Sequence, residues 1–562
     1  MGPRASRGRF GDAVEAFSSN WRNVNLRRAQ LSFFGAWASE WAFTVALGIV
    51  AYDAGGVVAV GLVGMLRMLP SAVLTPLLAP FADRGRRERT LIVVSLIRAV
   101  TTGAAAVIVA LSGPVELVYV IAAVTTVAST LFRPAHSALL PTLCRTGHEL
   151  ASANVVRGML DSIATLIGPL GAAVLLATTD VSVVFAVAAG ASLWAALLLL
   201  RVRYEAPPRD TPARRPHLMT EVADGFRALG ASPDLQIITA LILAQTFTRG
   251  ALSVFSVVVA IEMLGMGDAG VGTLMAAVGV GAVLGSMASS LLVGSHRLGV
   301  WFAVGVGLWG LPFVLIGLFP QWAAVLVLLA VVGTANALID VAGFTLIGRL
   351  APDAVMARVF AVQESIIAVS IGVGSMLASG LIEWIGLTAA LIVIGAICPV
   401  LAVAFWWRLR RLDASVGALD EQVQLLQRVP MFAPLPLPAI EHLARGIDPV
   451  SVPAGTTVFA QGDIGDRYYL IESGEAEVIG DGRLVATLGA GEGFGEIALL
   501  RRMPRTATVI ARTALRLRAL TAERFTVSVL GFTPSAAAAA SDIDSELDRF
   551  SPGSAPEESS AG

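Results

Sequence analysis

The chain is short of charge, of cysteine and of histidine, and it has no lysine at all. Charged residues make up 14% of its 562 positions against 56% apolar, with a mean hydropathy of +0.75. A soluble globular protein is about half apolar and about a quarter charged. That scarcity excludes an ordinary soluble domain over most of the length. All 40 basic residues are arginine, which speaks of coding preference more than of function. The formal net charge of −1 excludes the basic excess expected of a nucleic-acid partner. The two cysteines, Cys144 and Cys398, lie far apart, in or beside apolar segments. No disulfide framework follows from them, and they read as small core residues. The five histidines never fall at metal-ligand spacing, and no nucleophile–base constellation stands out. Neither a metal centre nor an enzyme is expected.

What the chain has in quantity is long apolar runs. Segments of spanning length occupy about 30–52, 58–82, 90–111, 117–133, 154–177 and 182–201. After a polar, Pro/Arg-rich break at 202–233, six more follow at about 236–262, 270–294, 300–319, 323–346, 360–383 and 388–407. The intervals between them alternate in charge. Six of them, 53–57, 112–116, 178–181, 263–269, 320–322 and 384–387, contain no arginine, whereas the alternate ones carry Arg84, Arg86, Arg87, Arg89, Arg145, Arg203, Arg209, Arg297, Arg349 and Arg358. By the positive-inside rule the arginine-bearing side is cytoplasmic, and both termini are then inside. Residues 1–28 are arginine-rich and unlike a signal peptide. Met1–Ser6 fits the myristoylation pattern formally, but Pro3 and the polytopic body behind it make the match a coincidence.

A different chemistry occupies Gly491–Thr508, GEGFGEIALLRRMPRTAT. Glycines for tight turns precede a short apolar helix opening at Phe494-Gly495-Glu496, and Arg505 follows nine residues after Glu496. Unpaired N–H groups at a helix start attract an anion, Gly495 lets the backbone approach it, and Arg505 offers a two-pronged donor to phosphate oxygens. Glu496 would be repelled by phosphate, so it suits a hydroxyl donor such as a ribose. A dinucleotide fingerprint is the poorer reading, because the flanking parallel-strand and long-helix pattern is missing.

The stretch resembles the phosphate-binding cassette of cyclic-nucleotide-binding domains. That resemblance implies ligand contacts from Gly495, Glu496, Ile497, Ala498, Arg505, Thr506 and Ala507, with cAMP or cGMP as a regulatory ligand and no other cofactor. It also implies that a hydroxyl at Thr506 can contact the guanine of cGMP. The twelve spans in two sets of six resemble the major facilitator superfamily. Phe81-Ala82-Asp83-Arg84-Gly85-Arg86-Arg87 is close to that superfamily's loop signature, one residue short, with Ala79 where its leading glycine would stand. By this resemblance Asp83, Arg84 and Arg86 form a conformational latch. The stretches FRPAHSALLPTL and LASANVVRGMLDSIATLIGPLGA look like the drug- and macrolide-exporter branch, and Gly168-Pro169 resembles an antiporter motif.

Ionisable residues at membrane depth are expensive and point to function. Glu40, Arg67 and Arg249 fall mid-span in the first, second and seventh segments. Glu40 is the expected proton-coupling carboxylate and Arg67 its counter-charge, with a purely structural ion pair as the competing reading. Asp161, Asp340 and Glu364 lie nearer span ends, where capping explains them more simply. Arg98 and Arg133 are expected to snorkel. Glycines of the eighth span (Gly270, Gly272, Gly279, Gly281, Gly285) suit close helix packing.

After Trp407, apolar positions Leu412, Val416, Leu419, Val423, Leu426 and Val429 recur at three- and four-residue steps, predicting an amphipathic helix. Strand-like runs follow at Thr456–Ala460, Tyr468–Ile471, Ala476–Ile479, Leu484–Leu488, Ala507–Ala511 and Leu515–Leu517. Short strands at this spacing suggest a small barrel or jelly roll, with helices expected at about 520–530 and 536–549.

The expected fold is therefore a polytopic α-helical membrane protein with 12 transmembrane helices in a 6+6 facilitator fold, carrying a C-terminal cytoplasmic jelly-roll cyclic-nucleotide-binding domain. Its expected parts are an N-terminal segment 1–28, bundles 29–201 and 234–407, a central loop 202–233, a linker helix 408–430, a nucleotide domain 431–550 and a disordered tail 551–562. The expected function is proton-coupled export of a small solute across the cell (plasma or inner) membrane, regulated by cyclic nucleotide. The partners are then solute, nucleotide and lipid bilayer. Two alternatives stand beside it: a membrane-anchored nucleotide sensor without transport, and a transporter whose domain serves only assembly. A gated channel is disfavoured, because no filter-like re-entrant loop interrupts the spans.

Overall fold

Runs that are apolar on every side can only be buried on one face and greased on the other, which is what the helices of the first part of the chain show. A computed structural model describes residues 21–84, 86–144, 146–202, 218–289, 297–350, 356–435, 437–531, 535, 539 and 540. Two compact units divide it, Met1–Leu412 and Asp413–Gly562.

The first unit is helical throughout. Its elements are α1 (Val24–Arg84), α2 (Arg87–Ala110), α3 (Val115–Thr130), α4 (Phe132–Leu143), α5 (Gly147–Leu176), α6 (Val181–Leu200) and α7 (Leu218–Ala231). There follow α8 (Pro233–Val258), continued by a π-turn at Val259–Met263, then α9 (Gly267–Ser289), α10 (Leu298–Leu318), α11 (Trp322–Leu350), α12 (Met356–Ile385) and α13 (Leu387–Gln427). Eleven of the described helical stretches are long and apolar enough to cross a membrane, and the first of them covers 51 residues. Fifty-one residues make about 76 Å of helix, against a hydrocarbon core of about 30 Å. α1 is two spans. It breaks at Gly55 and Gly56, the latter at φ +62, a left-handed value that glycine adopts without strain. Twelve spans result. Large apolar side chains such as Val100 (70% exposed), Val403 (74%) and Trp384 (83%) lie on the outer surface, as lipid contact requires.

The bundles are drawn close by small residues. A Cβ on Gly281 would stand 1.8 Å from the Ala330 carbonyl oxygen, and one on Gly279 would stand 2.4 Å from the Leu166 Cα. Glycine there is a condition of packing α9 against α11 and against α5. One expectation needs correction. The central segment 202–233 is not all polar loop, because Leu218–Ala231 forms helix α7; residues 203–217 lie outside the described residues. In the expected linker, α13 runs unbroken from the twelfth span to Gln427.

The second unit is a β-sandwich with short helices. Helix α14 (Leu437–Ala444) precedes β1 (Asp448–Val452), β2 (Thr457–Phe459), β3 (Arg467–Ser473), β4 (Ala476–Gly480), β5 (Arg483–Leu488) and β6 (Gly493–Phe494). Then come α15 (Glu496–Arg501), β7 (Thr508–Ala511), β8 (Leu515–Thr521) and α16 (Ala522–Leu530). All pairs are antiparallel, in sheets ordered β1-β8-β3-β6 and β2-β7-β4-β5. Alternating inward residues, among them Ile471, Val478, Phe494, Val509 and Leu517, fill the space between the sheets. A second core joins Val423, Leu426 and Val429 of α13 and the loop after it to Phe432, Tyr468 and Phe525, whose rings lie 4.7–5.9 Å apart. Strands β1 and β6 escaped the sequence reading. β1 contains Pro449, pairs on one side only and is half exposed, a marginal pattern that an edge strand tolerates. The expected helix at 536–549 falls mostly outside the described residues. Of that stretch, Ala539 is buried in the second core, and just ahead of it the Ser535 hydroxyl donates to the Met431 carbonyl.

Candidate functional site

Helix α15 begins where β6 ends, and Gly495 between them makes the turn at φ +93. A Cβ at Gly495 would stand 2.4 Å from Arg505 Nη1, so conformation and space both demand glycine. Arg505 is 3% exposed. Its Nη1 donates to the Gly495 carbonyl at 2.8 Å and its Nη2 to the Arg467 carbonyl at 2.7 Å. The guanidinium lies 4.1 Å from the centre of the Phe459 ring, and Asp466 approaches Nη2 to 3.8 Å. Nε is buried without a hydrogen-bond partner among the described residues. Burial pushes this guanidinium below the usual arginine range, while Tyr469, Asp466, Glu496 and Asp463 oppose the shift.

A cavity opens beside it, lined by Phe459, Val478, Ala486, Leu488, Gly493–Ala498, Arg505–Ala507 and Val509 among others. Glu496, Ile497, Ala498 and Ala507 are buried and Thr506 is half-buried. All seven cassette residues therefore line one cavity, one side of which is apolar and the other a cation with a spare donor. The sequence reading missed Phe459, Gly465 and the Arg467 carbonyl. A Cβ on Gly465 would meet the Ala498 Cβ at 2.8 Å, so this glycine backs the cassette from about thirty residues upstream in sequence.

In the membrane unit, Glu40 lies between two arginines. Its carboxylate is 3.0 Å from Arg67 Nη2 and 3.0 Å from Arg98 Nη2, and the Ser129 hydroxyl donates to it at 3.0 Å. Arg67 also donates from Nε to Thr126 at 2.9 Å. Arg98 is 1% exposed and donates to the Ala36 carbonyl at 2.8 Å, so the snorkelling expectation is corrected. α2 places that side chain inward, and a second counter-ion for Glu40 outweighs escape to the interface. Arg133 does not snorkel either: it pairs with Asp161 at 2.7 Å and covers the Trp37 ring at 5.0 Å. Nor do Asp161 and Asp340 cap helices. Both lie several turns inside α5 and α11, because those helices extend beyond the hydrophobic run. Arg249 is half-buried on α8, and Glu364 is exposed.

At the arginine-free end, the Tyr52 hydroxyl of the first bundle donates to Glu262 of the second at 2.6 Å. Of the loop-signature residues, Arg86 pairs with Glu88 at 2.5 Å. Asp83 and Arg84 end α1, but their side chains and all of Gly85 lie outside the described residues.

Comparison with known proteins gives two family matches. The model described as Major Facilitator Superfamily matches residues 31–297 and 241–447, and the one described as Cyclic nucleotide-binding domain matches 449–527. A cAMP-dependent protein kinase regulatory subunit of Schizosaccharomyces pombe is 45% identical over 94 residues, 16% of this chain and 23% of that protein. A cyclic nucleotide-gated potassium channel of Rhizobium etli is 36% identical over 128 residues, 23% of this chain and 34% of that one. The chain thus spans about a quarter to a third of the length of these curated relatives. Among solved structures, the regulatory domain of Toxoplasma gondii PKA with cAMP matches with 25% identity and a TM-score of 0.21, covering 24% of this chain and 52% of that one.

Proposed function

Since the chain belongs to the major facilitator superfamily and carries a cyclic nucleotide-binding domain after its helical bundles, we propose that it is a secondary active transporter set by a cytoplasmic cyclic nucleotide. The observation that carries the regulatory half is Arg505, a buried cation with an unpartnered Nε beside a cavity lined by the whole cassette. An anion completes such a group, and a cyclic phosphate brings the apolar base that Val478, Ala486 and Leu488 can cover. The names of the kinase regulatory subunits favour cAMP, and cGMP is the alternative. The spread of arginines along the chain supports a cell-membrane location with both termini and the nucleotide domain in the cytoplasm.

For the transport half, proton-coupled export is the leading mode. Glu40 supports it, because protonating this carboxylate would release Arg67 and Arg98 together and so favour another arrangement of the first bundle. Titration calorimetry of residues 413–562 with cAMP and cGMP tests the ligand. Proteoliposomes holding the full chain test the rest: candidate amphipathic solutes should dissipate an imposed pH gradient, at a rate that changes when nucleotide is supplied to the domain's side. No binding of either nucleotide sinks the regulatory reading, and an unaltered gradient with every solute sinks proton coupling.

A further inference from the structure

The Glu40 carboxylate has three partners among the described residues, and they are not alike. Arg67 reaches Oε1 from the second half of α1 at 3.0 Å, and Arg98 reaches Oε2 from α2 at 3.0 Å. Among the described residues, the other helices packed on α1 bring no further charged group within 4.0 Å of it. A guanidinium carries only N–H groups and never accepts a hydrogen bond. The third partner is Ser129 on α3, whose hydroxyl donates to Oε2 at 3.0 Å. The same oxygen stands 2.8 Å from the Thr125 carbonyl oxygen, one turn back on the helix. A hydroxyl has one hydrogen to give and lone pairs to accept with. Ser129 therefore lies between two acceptors and can serve only one of them at a time.

A carboxylate that gains a proton becomes a donor itself, and a buried donor left without an acceptor is costly. Neither arginine can accept from it. Ser129 can, by turning its own hydrogen to the Thr125 carbonyl. We infer that Ser129 is the positioning residue for proton uptake at Glu40. The incoming proton settles on Oε2, the new O–H donates to Ser129 Oγ, and the serine hydrogen swings from Oε2 to the Thr125 oxygen. No proton leaves the serine, and the only charge that changes is that of the carboxylate. Arg67 then keeps Thr126 at 2.9 Å and Arg98 keeps the Ala36 carbonyl at 2.8 Å, while the carboxyl group exchanges its tie to the arginines for one to α3. The acid is thus held in place in the state in which both arginines have lost their anion. This rests on the proton-coupling reading of Glu40 and adds to it the group that accommodates the protonated state.

Infrared difference spectra of the full-length protein in nanodiscs, recorded as the pH is lowered, test this without a known solute. A carboxylic acid has a carbonyl stretch of its own, which lies at lower frequency when its O–H is hydrogen-bonded, and Glu40→Gln identifies the band that belongs to Glu40. That band should appear in the wild-type protein and move to higher frequency in Ser129→Ala. It should move likewise in Ser129→Val, which leaves no room for a water in place of the hydroxyl. Ser129→Thr has the shape of the valine variant but keeps the hydroxyl, and should hold the band at its wild-type position. Every variant is compared as monodisperse protein with wild-type helix content by circular dichroism, which separates loss of the contact from loss of the fold. An unmoved band in Ser129→Val, or in Ser129→Ala should the valine protein not fold, overturns the inference and leaves proton coupling at Glu40 intact. So does a band displaced as far in Ser129→Thr as in Ser129→Val. The absence of any Glu40 band down to the pH at which helix is lost counts against the coupling reading itself, and the inference falls with it.

Discussion

Arg505 is held by two backbone carbonyls and the face of Phe459, yet it keeps one buried N–H unpartnered. Its desolvation is compensated in full only when an acceptor arrives. Arg505→Leu should weaken cyclic-nucleotide binding to residues 413–562 by about 10- to 100-fold, the worth of a contact to a charged partner at about 1.5–3 kcal/mol. Calorimetry reads this, and an unchanged affinity would remove Arg505 from the site. Gly495→Ala should be comparably damaging, since the new Cβ meets the guanidinium at 2.4 Å and the backbone stands at φ +93. Gly495, Glu496 and Arg505 were legible in the sequence because the cassette is nearly contiguous. Phe459 and the Arg467 carbonyl were not, because strand pairing alone brings them there. The same holds for Glu40. Its mid-span position marked it, but Arg98 as its second partner depends on how α2 is rotated against α1, which no local pattern encodes. Glu40→Gln leaves two buried arginines without their anion and should suppress flux driven by a pH gradient, with nucleotide affinity unchanged. Full pH-driven flux in that variant would move the coupling role to Asp161 or Asp340.

Helices of membrane type were legible as elements because twenty apolar residues admit few other fates. The strands of the second unit were legible in part, and those missed, β1 and β6, are an edge strand with a proline and a two-residue pair. Functionally, the telling element is the π-turn that ends α8. It widens the helix at Val259–Met263, and such turns commonly mark working positions. Glu262 lies within it and accepts the Tyr52 hydroxyl across the two bundles at 2.6 Å, while Gly48 lets α1 approach Val257 nearby. This contact can persist only while the arginine-free ends are together. Tyr52→Phe removes one hydrogen bond at an exposed position and should shift the equilibrium toward separated arginine-free ends by a few-fold to about ten-fold. Distances between spin labels at the arginine-free ends of the first and seventh spans would report this. An unchanged distribution would show that the bond does not hold the ends closed.

In the molecule as a whole, the transporter and the nucleotide domain are distinct compact units, yet α13 belongs to both. It runs from Leu387 to Gln427, and the division between units falls after Leu412. Its last turns bury Val423 and Leu426 in the same core as Phe432, Tyr468 and Phe525. Tyr468 stands next to Arg467, whose carbonyl accepts from Arg505. A nucleotide that draws Arg505 away from that carbonyl therefore acts one residue from the core that grips the helix. Nucleotide can alter transport only if it binds differently in the transporter's alternative states, and a stiff helix conveys rotation that a flexible linker would absorb. Saturating nucleotide should change the transport rate by about 5- to 150-fold, the span of a coupling worth about 1–3 kcal/mol. Inserting a flexible Gly-Ser segment at Ala414 should erase this response while nucleotide affinity and basal flux survive. Flux in proteoliposomes, measured with and without nucleotide for both proteins, decides the matter. A response that persists through the insertion would show that the signal takes another route, and α13 would then be a tether and nothing more.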